Sequence, residues 1–375
     1  MADTLSITDS QVAGLRTALT YPRAPRRVYW ELTRACDLAC EHCRAEAMPR
    51  RSSEELTTDE AERVLQDLAA AAPKPHVIFT GGDPLKRPDL LDLVGHATDL
   101  GLAVALAPSA TPALSADVVR SLKAAGVTAM SLSIDGPTAA QHDRVRGVLG
   151  CFGWTLAAAA HIRAAGIPLQ VNTLLSAETL PYLDGIGDLV ARLGAERWSL
   201  FALVPVGRAT TLTPLTAAEC ELAFRWLVFR APAWPFVVTT TEAPHYRRVL
   251  IQHWTRKWSA AGRDAAELRA HPLMRGFGIR DGNGVMFIAA NGDVTPSGFL
   301  PIPAGNVRRT GPLAIYREAP LFRRLRAPSK FHGRCGACGF RMICGGSRAR
   351  AFAASGDVLG DDPLCAWDPA GAVVT

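Results

Sequence analysis

No stretch of the 375-residue chain comes near the roughly 18 consecutive apolar residues that a membrane-spanning helix requires. The N-terminus, Met1 to Ser10, has neither a basic start nor a long apolar region, so no secretory signal is expected. Without such a signal, nine cysteines point away from disulfides and towards metal binding or catalysis, with the cytoplasm as the expected compartment. Low-complexity segments are lacking. No Lys/Arg block concentrates the formal charge of +6, and short basic pieces such as Arg323-Arg324-Leu325-Arg326 read as solvated surface. Neither nucleic acid nor a membrane is therefore expected as a partner. What is present, 48% hydrophobic and 20% charged residues, is a globular composition with room for one large core and a smaller module.

Six short β-branched or apolar runs recur between residues 27 and 205: Val28–Leu32, Val77–Phe79, Ala103–Ala107, Ala129–Ile134, Leu169–Leu174 and Ser199–Val204. Segments of helical period lie between them. Thr57 and Glu60 form a capping-box pattern, Ser115 opens another helix, and Gly166 and Gly194 sit just past two helix ends. Strands alternating with helices of this length predict parallel βα units. Six such units make an open barrel, with the loops after the strands gathered on one face. Residues 211–270 read as a helical bridge, with helices at Ala217–Arg230 and Tyr246–Trp258 and breaks at Pro232 and Pro235. Val285–Thr295 reads as a hairpin turning at Asn291-Gly292.

Cys36, Cys40 and Cys43 follow the first strand in the spacing C-x3-C-x2-C. Three thiolates on one loop can hold three irons of a cubane iron–sulfur cluster and leave the fourth open to a small molecule. A zinc site or plain core cysteines is the alternative, and a ferredoxin loop would need a fourth cysteine nearby. After the second strand, Gly81 and Gly82 let the backbone approach a ligand, and the Asp83 carboxylate could accept from an ammonium group; a tight turn is the plain reading. Ser133 and Asp135 end the fourth strand, where a hydroxyl and a carboxylate suit a ribose or a carboxylate-bearing ligand. Arg146 could grip a carboxylate in a bidentate fork, and Asn172 ends the fifth strand. Turn, cap or core roles stay open for each of these. A second set, Cys335-x2-Cys338-x5-Cys344 and then Cys365, completes a closed four-thiolate site for zinc or a second [4Fe–4S] cluster. Cys151 and Cys220 are expected to be buried and inert. Structural roles are expected for His245, Tyr246 and His271, with a substrate pocket as the alternative.

The first cysteine spacing, with His42 just before the third cysteine, resembles the signature of the radical S-adenosylmethionine (SAM) superfamily. The resemblance implies that the open iron chelates the amine and carboxylate of SAM. It also implies that Gly81, Gly82 and Asp83 contact the amine, Arg146 the carboxylate, and Asn172 the ribose. Reduction then splits SAM into methionine and a 5′-deoxyadenosyl radical, which takes hydrogen from an unactivated carbon. The C-terminal cysteines resemble the shortened SPASM/twitch extensions of this superfamily, which carry an auxiliary cluster. A full extension has a cysteine at the hairpin end and another after Gly345-Gly346; here Thr295-Pro296-Ser297 and Ser347-Arg348 stand there. One auxiliary cluster, fully ligated by cysteine and serving electron relay or structure, is therefore expected, and two [4Fe–4S] clusters in all.

The matches run over residues 27–175 and 283–365. Within the superfamily, Trp30-Glu31-Leu32-Thr33-Arg34-Ala35-Cys36 and His42-Cys43-Arg44-Ala45 look closest to the alternative haem-synthesis enzymes, which act on tetrapyrrole propionates; peptide maturases are neighbours. The expected architecture is α/β, a partial (βα)6 barrel with a C-terminal iron–sulfur extension. It divides into an N-terminal extension (1–25), the barrel (26–210), the bridge (211–270) and the auxiliary-cluster domain (271–375). Expected partners are a flavodoxin or ferredoxin reductant and a peptide or tetrapyrrole substrate. Residues 1–25 are too short for a leader-binding domain, so a peptide would come with a separate recognition protein. A nucleoside or sugar precursor stays open as substrate. So does, from another class, a non-enzymatic electron carrier or zinc-binding module.

Overall fold

Arg27–Glu31 (β1), His76–Thr80 (β2), Ala103–Leu106 (β3), Val127–Ser133 (β4), Leu169–Leu175 (β5), Arg197–Ala202 (β6) and Val237–Thr241 (β7) pair in that order, each parallel to the next. The computed structural model describes residues 19–262 and 276–369. His271, most of the expected N-terminal extension and the end of the tail lie outside the described residues. Helices return the chain between strands: Thr58–Ala69 (α1), Leu90–Asp99 (α2), Ala116–Ala124 (α3), Ala139–Arg146 (α4) with Cys151–Ala164 (α5), Leu183–Arg192 (α6) and Ala217–Arg230 (α7). The capping box forms as expected, with Thr57 Oγ1 accepting from Glu60 N–H and Glu60 accepting from Thr57 N–H.

The sheet has two parallel strands more than the six read from the sequence: β7 at one end and a strand beside β1. β7 lies inside the stretch expected to be a helical bridge, and α7 is its crossover. Its residues, Val-Val-Thr-Thr-Thr, are half-exposed to exposed and follow Pro235, so neither alternation nor a continuous apolar run marks them. After Tyr246–Ala260 (α8), the chain reaches the other edge. Val285–Ile288 (β8) pairs parallel to β1, and Asp293–Thr295 (β9) and Gly305–Asn306 (β10) continue antiparallel. The expected turn at Asn291-Gly292 is present, with Gly292 N–H donating to Ala289 O. Four short helices finish the extension: Pro312–Glu318 (α9), Pro320–Leu325 (α10), Gly333–Ala337 (α11) and Arg348–Ser355 (α12).

Alternation along the strands decides where the core lies. Val28, Trp30, Val77, Phe79, Val104, Leu106, Met130, Leu132, Leu169, Val171, Trp198 and Leu200 are at most 3% exposed, and they share one hydrophobic cluster with the helices. The residues between them face inward and many are small, such as Ala105, Ala129, Ser131, Ser133, Ser199 and Thr239, although Tyr29, Ile78, Gln170 and Phe201 also line the interior. The small ones leave the interior less filled than the branched layers of a closed eight-stranded barrel. A cavity of about 710 Å³ remains.

Trp198 anchors the outer layer. It packs edge-on against Trp234 at 5.4 Å between ring centroids, and its Nε1–H donates to Thr173 Oγ1 at 2.8 Å. Trp198→Ala is expected to lower stability by about 3–5 kcal/mol in urea unfolding. A loss under about 1 kcal/mol, typical of a surface change, would show that this layer does not carry the barrel.

Candidate functional site

The cysteine loop leaves the C-terminal end of β1 and is tied down by backbone. Gly82 N–H donates to Thr33 O and Asp83 N–H to Ala35 O, at 2.8 and 2.7 Å. A Cβ on Gly82 would stand 2.4 Å from Ala35 O, so the two glycines of this turn serve close backbone packing. On the far side, Gly207, at φ +56°, lies so close to Cys43 O and Arg44 O that a Cβ would meet both at 2.7 Å. Arg208 next to it donates Nε–H to Cys40 O at 3.0 Å. Cys36, Cys40, His42 and Cys43 line one wall of the barrel cavity. Leu38 N–H approaches Cys36 Sγ at 3.3 Å, Ala47 N–H approaches Cys43 Sγ at 3.5 Å, and Arg146 Nη1 lies 3.7 Å from Cys40 Sγ. Donors aimed at sulfur favour thiolates, which are the metal-binding form, so the donor set fits a cluster held by three cysteines. Burial raises Cys36 when no metal is bound.

The other residues expected to touch SAM divide into two groups. Gly81, Gly82, Ser133, Arg146 and Asn172 line the cavity. Ser133 and Asn172 are register partners at the ends of β4 and β5. Asp83 and Asp135 do not line it. Asp83 Oδ1 caps its own turn, accepting from Leu85 N–H at 3.1 Å and Ser109 N–H at 3.3 Å, and burial pushes the carboxyl up to about 6. Asp135 accepts Leu174 N–H at 2.7 Å and forms a buried ion pair with Arg146. Burial opposes that charge, but the Arg146 guanidinium outweighs it and holds the carboxyl below its usual range. In this geometry Arg146 lines the cavity and is directed at Asp135 and Cys40.

Cys335, Cys338, Cys344 and Cys365 converge on a second, small cavity with Arg248, Asp362 and Trp367. Phe340 N–H and Gly346 N–H donate to Cys338 Sγ and Cys344 Sγ, both at 3.4 Å, and Arg348 Nη2 approaches Cys335 Sγ at 3.5 Å. Four thiols around one small cavity suit either a tetrahedral zinc or a cubane cluster. Gly346, at φ +64°, borders both this cavity and the barrel cavity.

Of the remaining candidates, Cys220, His245 and Tyr246 lie in the interior away from the barrel cavity, whereas Cys151 and His142 line it. Cys151 and Cys220 are buried, and desolvation pushes the Cys151 thiol up to about 12. Cys220 Sγ packs against His245 Nε2 at 3.4 Å, away from the cavity, and Tyr246 is core. His142, Asp143 and Cys151 place their ligating atoms within 4.8 Å of one another, but these donors are already used. His142 Nδ1 accepts Asp135 N–H, and the Asp143 oxygens accept Gly150 and Phe152 N–H at 2.7 Å each.

Sequence reasoning missed Glu242, which lines the barrel cavity just after β7 in a left-handed conformation, φ +53°. A non-glycine residue held there is a mark of functional or tightly determined sites. Ser297 Oγ donates to its Oε1 at 2.8 Å and Ser347 Oγ to its Oε2. Those two serines stand where a full extension would carry cysteines. Burial, and then the nearby Asp281 carboxylate, raise the Glu242 carboxyl well above its usual range. Asp281 is itself steadied by Arg348 and Ala349 N–H at 2.9 Å each.

A raised folded-state pKa gives stability that is full below the unfolded value of about 4.3 and lost as pH rises through the folded one. Glu242→Gln puts a neutral group of the same shape there, accepting from one serine and donating to the other. Denaturation midpoints measured from about pH 5 to 9 should fall faster for the wild type than for this variant. Parallel curves would mean that Glu242 is ionised in the fold.

Comparison with known proteins accords with this geometry. The family model described as "Radical SAM superfamily" matches residues 30–187. An AdoMet-dependent heme synthase of Oleidesulfovibrio alaskensis is 39% identical over 92% of this chain and 88% of its own. The PqqA peptide cyclase of Rhodopseudomonas palustris is 32% identical over 92% and 88%. The fold is shared with Streptococcus suis SuiB bound to S-adenosylmethionine, at TM-score 0.71 and 16% identity, covering 96% of this chain and 81% of that one. With the family model matched across the cysteine loop and relatives alike along nearly the whole length, the chain belongs to the radical SAM superfamily and is an enzyme whose fold implies a [4Fe–4S] cluster and SAM.

Proposed function

We propose that this enzyme uses radical SAM chemistry on a tetrapyrrole bearing carboxylate side chains, in the manner of a haem-forming step. The observation that carries the reading is the barrel interior. One cavity of about 710 Å³ runs from the three cysteines at the C-terminal rim to arginines at the strand starts. That suits a large, flat, anionic substrate better than a nucleoside or sugar. The higher identity to the heme synthase than to the peptide cyclase, 39% against 32%, supports the same choice.

Cys36, Cys40 and Cys43 would hold the first cluster. Gly81, Gly82, Ser133 and Asn172 would orient SAM against it, while Asp83 and Asp135 set the turn and Arg146 from behind. Bound there, SAM with a reduced cluster supplies one-electron cleavage and hydrogen abstraction from an unactivated carbon. The barrel wall excludes water from that event, because its outer layer is closed by core residues. Cys335, Cys338, Cys344 and Cys365 would hold a second [4Fe–4S] cluster, with Gly346 as the wall it shares with the substrate cavity. In this reading the second cluster relays the electron that an oxidised substrate gives up, a flavodoxin or ferredoxin supplies the first one, and the enzyme works in the cytoplasm.

The test is anaerobic reconstitution with iron and sulfide, then reduction and addition of SAM and an iron porphyrin bearing propionates. About eight irons per chain are expected, as for two four-iron clusters. 5′-Deoxyadenosine should form and vanish in the Cys36/Cys40/Cys43→Ala triple variant. Cys338→Ala should keep SAM cleavage and lose porphyrin product; product at wild-type yield would remove the relay role.

A further inference from the structure

The starts of the strands form the floor of the barrel cavity, and two arginines there have no partner. Arg27 is the first residue of β1 and Arg197 the first of β6; both line the cavity. Arg27 is exposed and Arg197 half-buried, and among the described residues neither guanidinium makes a hydrogen bond or an ion pair. They stand on well-separated strands yet sense each other across the interior. Burial, and then the charge of Arg27, pull Arg197 below its usual range, while Tyr29 of β1 acts in the opposite sense. Arg247 also feels Arg27, but its own guanidinium is held by Ile279 O at 2.6 Å and Ile343 O at 3.1 Å. Glu196, exposed beside Arg197 at the floor, also lines the cavity and acts on Arg197 in the same sense as Tyr29, but forms no ion pair with either arginine. His76, the register partner of Arg27, adds a buried and unpartnered Nε2.

Two like charges lining one cavity, neither held in an ion pair, make its floor favourable to an anion. We propose that Arg27 and Arg197 form a carboxylate clamp at the barrel floor, gripping one acidic side chain of the substrate while another part of the same molecule reacts at the cysteine rim. The clamp rests on the tetrapyrrole reading and sharpens it. Four residue steps along β1, at about 3.3 Å each, put the floor about 13 Å below the rim. The ligand must therefore carry a carboxylate at about that distance from the reacting carbon. A macrocycle with acidic groups around its edge meets the condition, whereas a nucleoside or a single sugar is too short. Guanidinium forks match carboxylates in two parallel bonds, which a lysine does not reproduce.

The experiment titrates reconstituted holoenzyme with an iron porphyrin bearing four propionates and with its tetramethyl ester, following the porphyrin absorption band. Wild type should bind the acid more tightly than the ester. Arg197→Gln should weaken acid binding about ten- to hundredfold, as loss of a charged hydrogen-bond pair does, with Arg27→Gln/Arg197→Gln weaker still. Ester binding should stay the same in all three. Arg197→Lys should recover part of the loss, and iron content and melting curves confirm that each variant is folded. Equal wild-type affinity for acid and ester, or unchanged acid binding in the double variant, overturns the clamp and leaves the tetrapyrrole reading standing. If wild type binds neither porphyrin, the reading fails and the clamp with it.

Discussion

The barrel is held from outside. Its parallel strands send most of their large apolar side chains to the helix layer and keep many small or polar ones within, so the packing that stabilises the sheet lies mainly on the outer face. Burial of a side chain such as Trp30 or Phe79 contributes about 1.5–3 kcal/mol wherever it occurs, and here most of it is spent on the outer face. A filled barrel would be as stable and would have nowhere to put a substrate. The rest of the architecture follows from this hollow. The strands set the wall, their C-terminal ends present the cysteine loop, and side chains of the extension reach across to the loop after β7.

Glu242 shows what that reach entails. The carboxyl group comes from the β7 edge, and the two hydroxyls that hold it come from Ser297 and Ser347 on the extension, 55 and 105 residues further on. Arg350 ties the same loop through the Glu242 carbonyl and pairs with buried Asp362 beside the second cysteine cavity. The two sites are thus joined by a polar network with few unpaired members, which is the condition under which buried polar groups stiffen a fold.

Much of this was legible in the sequence because its causes are local. The cysteine spacing, the Gly81-Gly82 turn, the capping box at Thr57 and the hairpin at Asn291-Gly292 each depend on residues a few positions apart. β1 to β6 were readable from runs with one strongly apolar face. β7 was not, since both its faces are partly exposed and Pro232 and Pro235 precede it. Asp83 and Asp135 have the residue types of ligand contacts, but their roles are decided by Ser109 and Leu174, which tertiary structure alone brings near. Arg27, Arg197 and Glu242 carry no local pattern at all. They become visible only when the strand starts and the two sheet edges are placed around one space.

The pairing of β8 with β1 makes the cluster-bearing extension part of the sheet rather than an appendage. Arg27 through Trp30 give one row of backbone hydrogen bonds to β2 and the other to residues 285–288, more than 250 positions away. During synthesis the first strand must therefore wait, with one side open, until nearly the whole chain has been made. Such an edge is a ready template for another molecule's strand. Nascent or truncated forms of this enzyme carry an aggregation hazard that the finished protein does not, and a cell producing it gains from keeping β1 shielded until the C-terminal third arrives.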